Sequence, residues 1–296
     1  MTALDKEELI AKAKVLLETL PYIQKFRGSI FVVKYGGSFM DDPSIEVRGR
    51  ILRDIMLLEA VGIRVVLVHG GGKAISRAME AAGLEPRFIN GLRYTDKPSI
   101  AVVEKTLNQE INQEICELLQ DRGGHPQALL GNQVFSCKPY QAKDEQGHAV
   151  DLGYVGEITH VDTAPIHAAL KANTVPIVSP IAVDSAGHPY NTNADIAASR
   201  VAIALQAQRL VYLCDLPGLL RDPKDESTLI STLHMDKVAE LKKAGIIAEG
   251  MRPKVDSAVE ALQQGIQRVH FVDGRLPHSL LLEIFTDHGI GTEIIM

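Results

Sequence analysis

The chain has 296 residues, of which 46% are hydrophobic and 23% are charged, and its formal net charge is −6. That composition is typical of a globular protein and argues against a disordered chain, and the length suffices for one large α/β domain or for two lobes that share a sheet. The acidic balance disfavours a nucleic-acid-binding protein, although a pocket for a small anion needs only a few local cations.

The cysteines Cys116, Cys137 and Cys214 lie far apart and form no C-x-x-C pair. Their spacing predicts neither a disulfide framework nor a zinc site, and we expect small buried thiols in a reducing compartment. The first twenty residues are too rich in charge for a signal peptide, and the apolar runs are too short for a membrane span. The sequence therefore predicts a cytoplasmic protein with neither a membrane partner nor a nucleic-acid partner.

The chain opens with a predicted amphipathic helix at residues 5–20. Leu9, Leu16 and Leu20 fall on one apolar stripe, and Pro21 is expected to end the helix. The stripe packs either on the body of its own chain or on another subunit. The sequence leaves these two alternatives equal.

Short β-branched segments then alternate with helical segments to the end of the chain. Strands are predicted at residues 29–34, 64–69, 175–179, 210–214 and 268–272. Helices are predicted at residues 47–60, 73–82, 101–120, 194–206, 235–244 and 255–264. Residues 134–158 interrupt this alternation and indicate a hairpin excursion. We therefore predict an α/β fold with an open, mostly parallel sheet sandwiched by helices, preceded by the N-terminal helix.

Two glycine clusters follow the first two strands, at residues 34–38 (KYGGS) and 69–73 (HGGGK). Ligands of open α/β sheets bind at the carboxyl ends of the strands, and glycine lets backbone N–H groups approach an anion. The second cluster is not a P-loop, because Leu67 occupies the first glycine position and Ala74 follows the lysine. Tight turns also use glycine for steric reasons, but two such turns on adjacent strands favour an anion site. His69 is expected to be structural.

Three further motifs carry polar groups near predicted turns or helix starts: residues 91–96 (GLRYTD), 191–195 (NTNAD) and 250–255 (GMRPKV). An arginine in a turn is suited to a bidentate grip on a carboxylate, and a lysine beside a helix start can face an anion. Each motif also has a simpler explanation: a surface salt bridge, a helix N-cap at Asn193, or a solvated lysine.

These motifs occur in the order found in the amino acid kinase family, which the chain resembles from about residue 29 to its C-terminus. Residues 213–220 (LCDLPGLL) are similar to the nucleotide-side strand and turn of that family. The resemblance is strongest to the members that phosphorylate N-acetyl-L-glutamate. It implies N-acetyl-L-glutamate and ATP as substrates, with Mg²⁺ bound mainly through the ATP phosphates and no metal ligands on the protein itself.

The resemblance also implies an oligomerisation helix at residues 1–28, an acetylglutamate lobe at 29–180 and an ATP lobe at 181–296, which share one continuous sheet. The implied catalytic residues are Lys34, Lys254, Asp195 and Gly37. The implied acceptor-binding residues are Gly71, Gly72, Arg93 and Asn191. The implied ATP-binding residues are Asp215, Leu216, Pro217, Gly218, Leu219, Leu220, Ile246, Ile247 and Ala248.

Phosphorylation of a carboxylate agrees with this set of residues. A carboxylate is already ionised at pH 7, so the reaction requires no general base. What remains is to bring two anions together and to neutralise charge in the transition state. Lys34 and Lys254 would do so from the two lobes, and Asp195 would orient both ammonium groups.

The resemblance extends to members that L-arginine inhibits, through the N-terminal helix and residues 282–292. In those members the helix interlaces with that of a neighbour and links dimers into a ring. The resemblance therefore implies a homo-oligomer, either a hexamer of this kind or a dimer. The residues implied around the L-arginine effector are Tyr22, Arg200, His270, Glu283, Gly289 and Gly291.

Two alternatives stay open from the sequence. Within the family the acceptor could be a related compound such as N-acetylaminoadipate, since Lys73, Tyr94 and residues 127–131 depart from the usual pattern near the acceptor. The chain could also be a non-catalytic sensor of an amino acid or a nucleotide rather than an enzyme. The complete set of Lys34, Asp195 and a second lysine argues against a sensor, because a binding protein has no need of two phosphoryl-facing lysines.

Overall fold

The computed structural model describes residues 3–89, 91–143, 147–247 and 250–296. The helices are α1 (Ala3–Phe26), α2 (Ile45–Ala60), α3 (Gly72–Ala81), α4 (Lys97–Lys105), α5 (Asn112–Gln120), α6 (Ala164–Lys171), α7 (Ala194–Leu205), α8 (Val238–Lys243), α9 (Arg252–Gln263) and α10 (Ser279–Ile284). The strands are β1 (Ile30–Tyr35), β2 (Arg64–His69), β3 (Arg87–Ile89), β4 (Leu92–Tyr94), β5 (Pro126–Leu129), β6 (Phe135–Pro139), β7 (Ala142–Lys143), β8 (Ala149–Val150), β9 (Gly156–Val161), β10 (Val175–Val178), β11 (Ile181–Val183), β12 (Pro189–Asn191), β13 (Arg209–Cys214), β14 (Thr232–His234), β15 (Arg268–Asp273) and β16 (Thr292–Ile295). In the described part of the chain, no helix is long and apolar enough to cross a membrane.

The main sheet has eight strands in the order β14-β16-β15-β13-β1-β2-β10-β5. The strands from β15 to β5 pair in parallel. β16 is antiparallel to β15, and β14 is parallel to β16, so that only these two strands at one edge run the other way. The predicted mostly parallel sheet is therefore confirmed.

Both faces of this sheet are buried, because alternate residues of its strands enter two different hydrophobic cores. Phe31 and Val33 of β1 lie in the core that includes residues of α2, α5 and α10. Val32 lies in the opposite core, with residues of α6, α7 and α9. Continuous apolar strands of this kind are typical of a parallel sheet that is covered by helices on both sides.

A smaller sheet, in the order β12-β11-β6-β9, accounts for the predicted hairpin excursion. β6 and β9 pair in an antiparallel way within residues 134–158 and just beyond, as expected. β12 ends at Asn191 and α7 starts at Ala194, so that only two residues separate them. This sheet therefore delivers the NTNAD motif to the carboxyl edge of the main sheet.

The prediction that Pro21 ends the first helix is wrong, because α1 continues to Phe26 with Pro21 inside it. A proline within a helix removes one backbone hydrogen bond and strains the preceding turn. In this helix the residues after the proline pack on the body of the protein: Phe26 belongs to the core, and Tyr22 and Ile23 pack against it. Their burial offsets the cost of the proline.

The apolar stripe of α1 does not pack on its own chain. Leu9, Leu16 and Leu20 are 52%, 72% and 45% exposed, respectively. Of the two alternatives that the sequence left open, the structure therefore removes packing on the body of the same chain.

The predicted helix at residues 101–120 is continuous but not uniform. α4 passes into a π-helical turn, Thr106–Ile111, and then into α5. π-helical turns are rare and often occur near functional sites. The side chains of this turn lie beside the HGGGK cluster, where Leu107 and Ile111 contact Gly71.

Candidate active site

The two glycine clusters lie side by side because β1 and β2 are parallel neighbours in the sheet. Lys34 pairs with Val68 and Tyr35 with His69, so both turns emerge at the same edge. The Gly70 N–H donates to the Tyr35 carbonyl over 2.7 Å and joins the turns. A Cβ atom at Gly36 would lie 2.5 Å from the Lys34 ammonium nitrogen, so any other residue there would displace that ammonium group.

Asp195 joins the two lysines that the sequence assigned to phosphoryl transfer. Lys34 Nζ lies 3.2 Å from Asp195 Oδ1, and Lys254 Nζ binds the other carboxylate oxygen. Asp195 lies in the first turn of α7, where the Asn193 side chain accepts hydrogen bonds from the N–H groups of Asp195 and Ile196. Asn193 is therefore an N-cap, as the simpler explanation held, and this cap places Asp195 between the lysines.

The charges of this triad reinforce one another. Burial opposes ionisation of Asp195, but the ammonium groups of Lys34 and Lys254 outweigh burial and lower the pKa of the carboxyl group. Burial likewise opposes the charge on Lys254, while Asp195 more than compensates and raises its pKa. Asp195 and Lys254 are thus both charged at neutral pH. With two lysines and one aspartate, the triad has one formal net positive charge, which suits it to an anionic ligand.

Seven of the predicted residues line one cavity of about 240 Å³ beside the triad, which we call the acceptor cavity. They are Lys34, Gly37, Gly71, Gly72, Arg93, Asn191 and Asp195. The same cavity has an apolar side formed by Ile75, Phe88, Leu92, Leu107 and Val155. These apolar residues come from four distant segments, and no separate pattern in the sequence points to them.

Arg93 is 7% exposed and its guanidinium group is held in place by its neighbours. One terminal nitrogen donates to the Gly72 carbonyl over 2.8 Å and to Ser76 Oγ over 3.0 Å. The ring of Phe88 lies 4.7 Å from the guanidinium carbon. Burial lowers the pKa of Arg93 from its ordinary, very high value. A guanidinium fixed in this way can bind a carboxylate with little loss of side-chain freedom.

On the other side of the triad, Asp215 follows β13 and binds the first glycine turn. Its carboxylate accepts hydrogen bonds from the N–H and the hydroxyl group of Ser38, over 2.7 and 2.8 Å. Ser38 was not among the predicted site residues, although it ends the KYGGS motif. This contact joins the turn after β1 to the strand that is expected to face the nucleotide.

The other predicted nucleotide residues differ in exposure. Leu216 is 48% exposed, whereas Leu219 and Ile247 lie in the hydrophobic core. The side chains of these two core residues cannot face a nucleotide, and only their backbone groups remain for that role. Pro217, Gly218, Leu220 and Ile246 lie on the same two loops, and Ala248 lies outside the described residues.

A second cavity, of about 290 Å³, lies between the end of α1 and the C-terminal part of the chain. Of the predicted effector residues, Tyr22, His270, Glu283 and Gly289 line it. The fifth, Gly291, adjoins it through its N–H, which donates to Glu283 Oε2 over 2.9 Å. We refer to this space as the effector cavity.

Glu283 already has several partners in this structure. His270 Nδ1 lies 2.7 Å from one carboxylate oxygen, and the Ile290 N–H donates to the other over 2.8 Å. Burial opposes ionisation of Glu283, but these partners outweigh burial and lower its pKa. Glu283 therefore stabilises the loop before β16 as well as contributing charge to the cavity.

The sixth predicted effector residue, Arg200, does not lie in the effector cavity. On α7 it faces α9, where it forms an ion pair with Glu260 over 2.8 Å, and it lines a different cavity. The cations that line the effector cavity are Lys25, Arg209 and Arg268. Arg209 was not predicted as an effector residue. The available signal was its position at the start of an apolar strand.

Comparisons with known proteins agree with this fold. The model of the "Amino acid kinase family" matches residues 29–273. A curated acetylglutamate kinase from Akkermansia muciniphila is 47% identical over 288 residues, which cover 97% of this chain and 96% of that one. Among solved structures, the N-acetylglutamate synthase of Neisseria gonorrhoeae is similar in two complexes.

The synthase complex with coenzyme A and N-acetyl-glutamate has a TM-score of 0.83 at 30% identity, and the match covers 96% of this chain and 63% of that one. The complex with coenzyme A and L-arginine has a TM-score of 0.79 at 30% identity, with 96% and 65% covered. This chain thus spans about two thirds of the synthase. The family model and the near-complete match to the Akkermansia enzyme lead to one conclusion: the chain belongs to the amino acid kinase family of phosphotransferases, in the acetylglutamate kinase group.

Proposed function

We propose that the chain transfers the γ-phosphoryl group of ATP to the γ-carboxylate of N-acetyl-L-glutamate in arginine biosynthesis, which yields N-acetyl-L-glutamyl 5-phosphate. The observation that carries this proposal is Asp195, which bridges Lys34 and Lys254 beside a cavity that also holds a buried arginine. The name of the Akkermansia relative supports the choice of acceptor.

In the proposed reaction, Arg93 and Asn191 bind the α-carboxylate of the acceptor and direct its γ-carboxylate towards the triad. A γ-carboxylate oxygen attacks the γ-phosphorus, and the bond from that phosphorus to the bridging oxygen of ADP breaks. Lys34 and Lys254 neutralise the charge that spreads over the moving phosphoryl oxygens, and the N–H groups of Gly37 and Gly71 donate hydrogen bonds to them.

The nucleotide is expected along residues 215–220 and 246–248, with Mg²⁺ held mainly by its phosphates. The protein carboxylates nearby fit that arrangement, since Asp195 is paired with two lysines and Asp215 accepts two hydrogen bonds from Ser38. When bound, Mg²⁺ supplies further positive charge for the phosphates.

A coupled assay of ADP release tests the proposal with four acceptors: N-acetylglutamate, N-acetylaminoadipate, glutamate and aspartate. We expect the highest kcat/KM with N-acetylglutamate. A higher value with N-acetylaminoadipate would keep the reaction and change the acceptor. The absence of turnover with every acceptor would contradict the proposal and favour a sensor.

We further propose that L-arginine inhibits this enzyme by binding in the effector cavity. An amino acid with a guanidinium group needs a carboxylate at one end of its site and a cation at the other. The cavity offers Glu283, Glu293 and Asp287 as carboxylates, and Arg209, Arg268 and Lys25 as cations. The Neisseria synthase, which has a similar fold, was solved with L-arginine.

We also propose that the chain forms a homo-oligomer, a dimer or a hexamer, in which the exposed stripe of α1 packs on a second copy. In this arrangement residues 1–28 are the oligomerisation helix, residues 29–180 the acceptor lobe and residues 181–296 the nucleotide lobe. The support for this proposal is the exposure of Leu9, Leu16 and Leu20 in the single chain.

A further inference from the structure

Four buried polar side chains form two hydrogen-bonded pairs at the HGGGK turn. His69 and Ser179 are fully buried, and Asn112 and Asn108 are 1% and 7% exposed. Asn112 Nδ2 lies 3.2 Å from His69 Nε2 and donates to the Ile177 carbonyl over 2.9 Å. The Ser179 hydroxyl group donates a hydrogen bond to Asn108 Oδ1. A buried polar group lowers stability unless it has a hydrogen-bond partner. These contacts therefore favour one arrangement of the turn, in which each group is paired.

The partners of His69 determine where its proton lies. Nδ1 lies 2.9 Å from the Gly70 carbonyl, which can only accept, so Nδ1 carries the hydrogen. On the other side, the Ile177 carbonyl can only accept and therefore fixes the Asn112 amide nitrogen as the donor. Nε2 must then be the acceptor for Asn112. The imidazole is neutral, with its hydrogen on Nδ1. Its burial agrees, since it lowers the pKa of His69 to about 4.

This hydrogen bond fixes a peptide group of the candidate active site. The described peptide bonds are trans, so the Gly70 carbonyl and the Gly71 N–H point in opposite directions. With the carbonyl bound to the imidazole, the Gly71 N–H faces away from His69. Gly71 itself lines the acceptor cavity. Among the described residues, no protein acceptor takes the Gly71 N–H, which leaves it free for a ligand.

The π-helical turn holds Gly71 from the other side. A Cβ atom at Gly71 would lie 2.3 Å from Ile111 Cδ1 and 2.9 Å from a Leu107 methyl group. The glycine is thus closely packed against the turn Thr106–Ile111, and Asn112 follows that turn directly. The turn therefore contributes both the packing against Gly71 and the amide that orients the imidazole.

We propose that His69 is a positioning residue for phosphoryl transfer: its Nδ1–H, oriented by Asn112, holds the Gly70–Gly71 peptide so that the Gly71 N–H can donate to the moving phosphoryl group. The proposal rests on the proposed function, because it assigns His69 a role through a donor of that reaction. It also revises the expectation that His69 is only structural.

Two variants separate positioning from stability. In His69→Asn the side-chain amide nitrogen takes the place of Nδ1 and can still donate to Gly70, whereas His69→Leu removes both hydrogen bonds. We expect His69→Leu to lower kcat about tenfold or more, with little change in the KM for ATP, and His69→Asn to recover most of that loss. Ile166→Ala, a buried substitution in α6, is the control: it should lower thermal stability without lowering kcat.

The outcomes distinguish failure of this proposal from failure of the proposed function. Wild-type turnover is measured first, and its absence with every acceptor would contradict both the proposed function and the positioning role of His69. Normal kcat in His69→Leu, or equal losses in the Leu and Asn variants, would overturn the positioning role alone.

If neither variant folds, nitrogen NMR of the wild-type protein labelled with ¹⁵N-histidine decides. A neutral ring with its hydrogen on Nδ1 at the pH of the assay supports the proposal, and a hydrogen on Nε2 or a charged ring contradicts it.

Discussion

Asp195 makes the two lysines of the active site depend on each other. Because one carboxylate binds both ammonium groups, the removal of either lysine leaves the other with a full carboxylate partner and cancels the net positive charge of the triad. The remaining pair would be neutral. The decrease in rate should therefore exceed the decrease caused by removing an isolated cation. It should appear in the chemical step rather than in ground-state binding.

We accordingly predict that Lys34→Ala and Lys254→Ala each lower kcat by about a hundredfold or more, with smaller changes in KM. Arginine at either position should not restore the rate fully, because its planar group differs from a compact ammonium group. Lys237→Ala, which removes an exposed lysine paired with Glu240, is the control. A Lys254→Ala enzyme with nearly normal kcat would contradict the assignment.

Arg93→Ala should raise the KM for acetylglutamate strongly while it leaves the KM for ATP nearly unchanged. Arg93 lies in the acceptor cavity, and its nitrogen contacts Gly72 and Ser76 on the acceptor side. Arg87→Ala is a matched control, since Arg87 is in the same hairpin but stacks on Tyr94. Initial rates with each substrate varied in turn measure the effect, and equal weakening of both substrates would show that Arg93 is structural.

His69 should also make the stability of the protein dependent on pH. Its pKa falls from 6.5 to about 4 on folding, so between these values the unfolded chain binds the proton and the folded chain does not. Stability from this group is full above pH 6.5 and is lost as the pH falls towards 4, by about 2 kcal/mol at pH 5. Urea unfolding of wild type and His69→Leu at pH 7 and pH 5 measures the difference. An equal decrease in the free energy of unfolding in both proteins would show that His69 is not the cause of the pH dependence.

At the scale of single elements, β13 and α7 show what the sequence could predict. The strand ends with glycine turns were recognisable because glycine, lysine and a preceding apolar strand occur together. The resemblance implied Arg200 for the effector cavity, whereas Arg209, at the start of an apolar strand, was not singled out. Arg200 faces α9 instead because of the way α7 packs on α9, and that packing is set by contacts between distant segments. The π-helical turn was missed for a related reason, because its hydrogen bonds leave no periodicity that differs clearly from that of an α-helix.

The two arginines provide a direct test of the effector site. Arg209→Met should abolish inhibition by L-arginine, because Arg209 is 3% exposed and lines the effector cavity. Arg200→Met should leave the inhibition intact, because Arg200 pairs with Glu260 elsewhere. Activity is titrated with L-arginine at fixed substrate concentrations. The reverse order of effects would restore the assignment made from the sequence. These variants are also clearer than Glu283→Ala, which would leave the Ile290 and Gly291 N–H groups without their acceptor.

At the scale of the whole molecule, α1 has two surfaces with different roles. Its first part exposes the apolar stripe, and its last turns provide Tyr22 and Lys25 to the effector cavity. A deletion of residues 1–25 would remove both surfaces together. Substitution within the stripe can change assembly alone.

We predict that Leu16→Glu breaks the contact that α1 makes with a second copy, which reduces a hexamer to dimers, while the cavity residues of α1 stay in place. A charge at this position, 72% exposed in the single chain, would have to be buried against the second copy. Lys14→Glu, an exposed change outside the stripe, is the control. Light scattering measures the mass. If the wild-type chain is dimeric and indifferent to millimolar L-arginine, the regulatory proposal is wrong and the catalytic one is unaffected.

Because α1 takes part in both, subunit association and L-arginine binding are thermodynamically linked. If a neighbouring copy changes the conformation or mobility of α1, it changes the affinity of the cavity for L-arginine, because Tyr22 and Lys25 belong to both systems. Linkage is reciprocal, so L-arginine must then change the association constant of the subunits by the same factor. Dilution of the enzyme would shift its sensitivity to the inhibitor, and the inhibitor would shift the concentration at which the assembly dissociates.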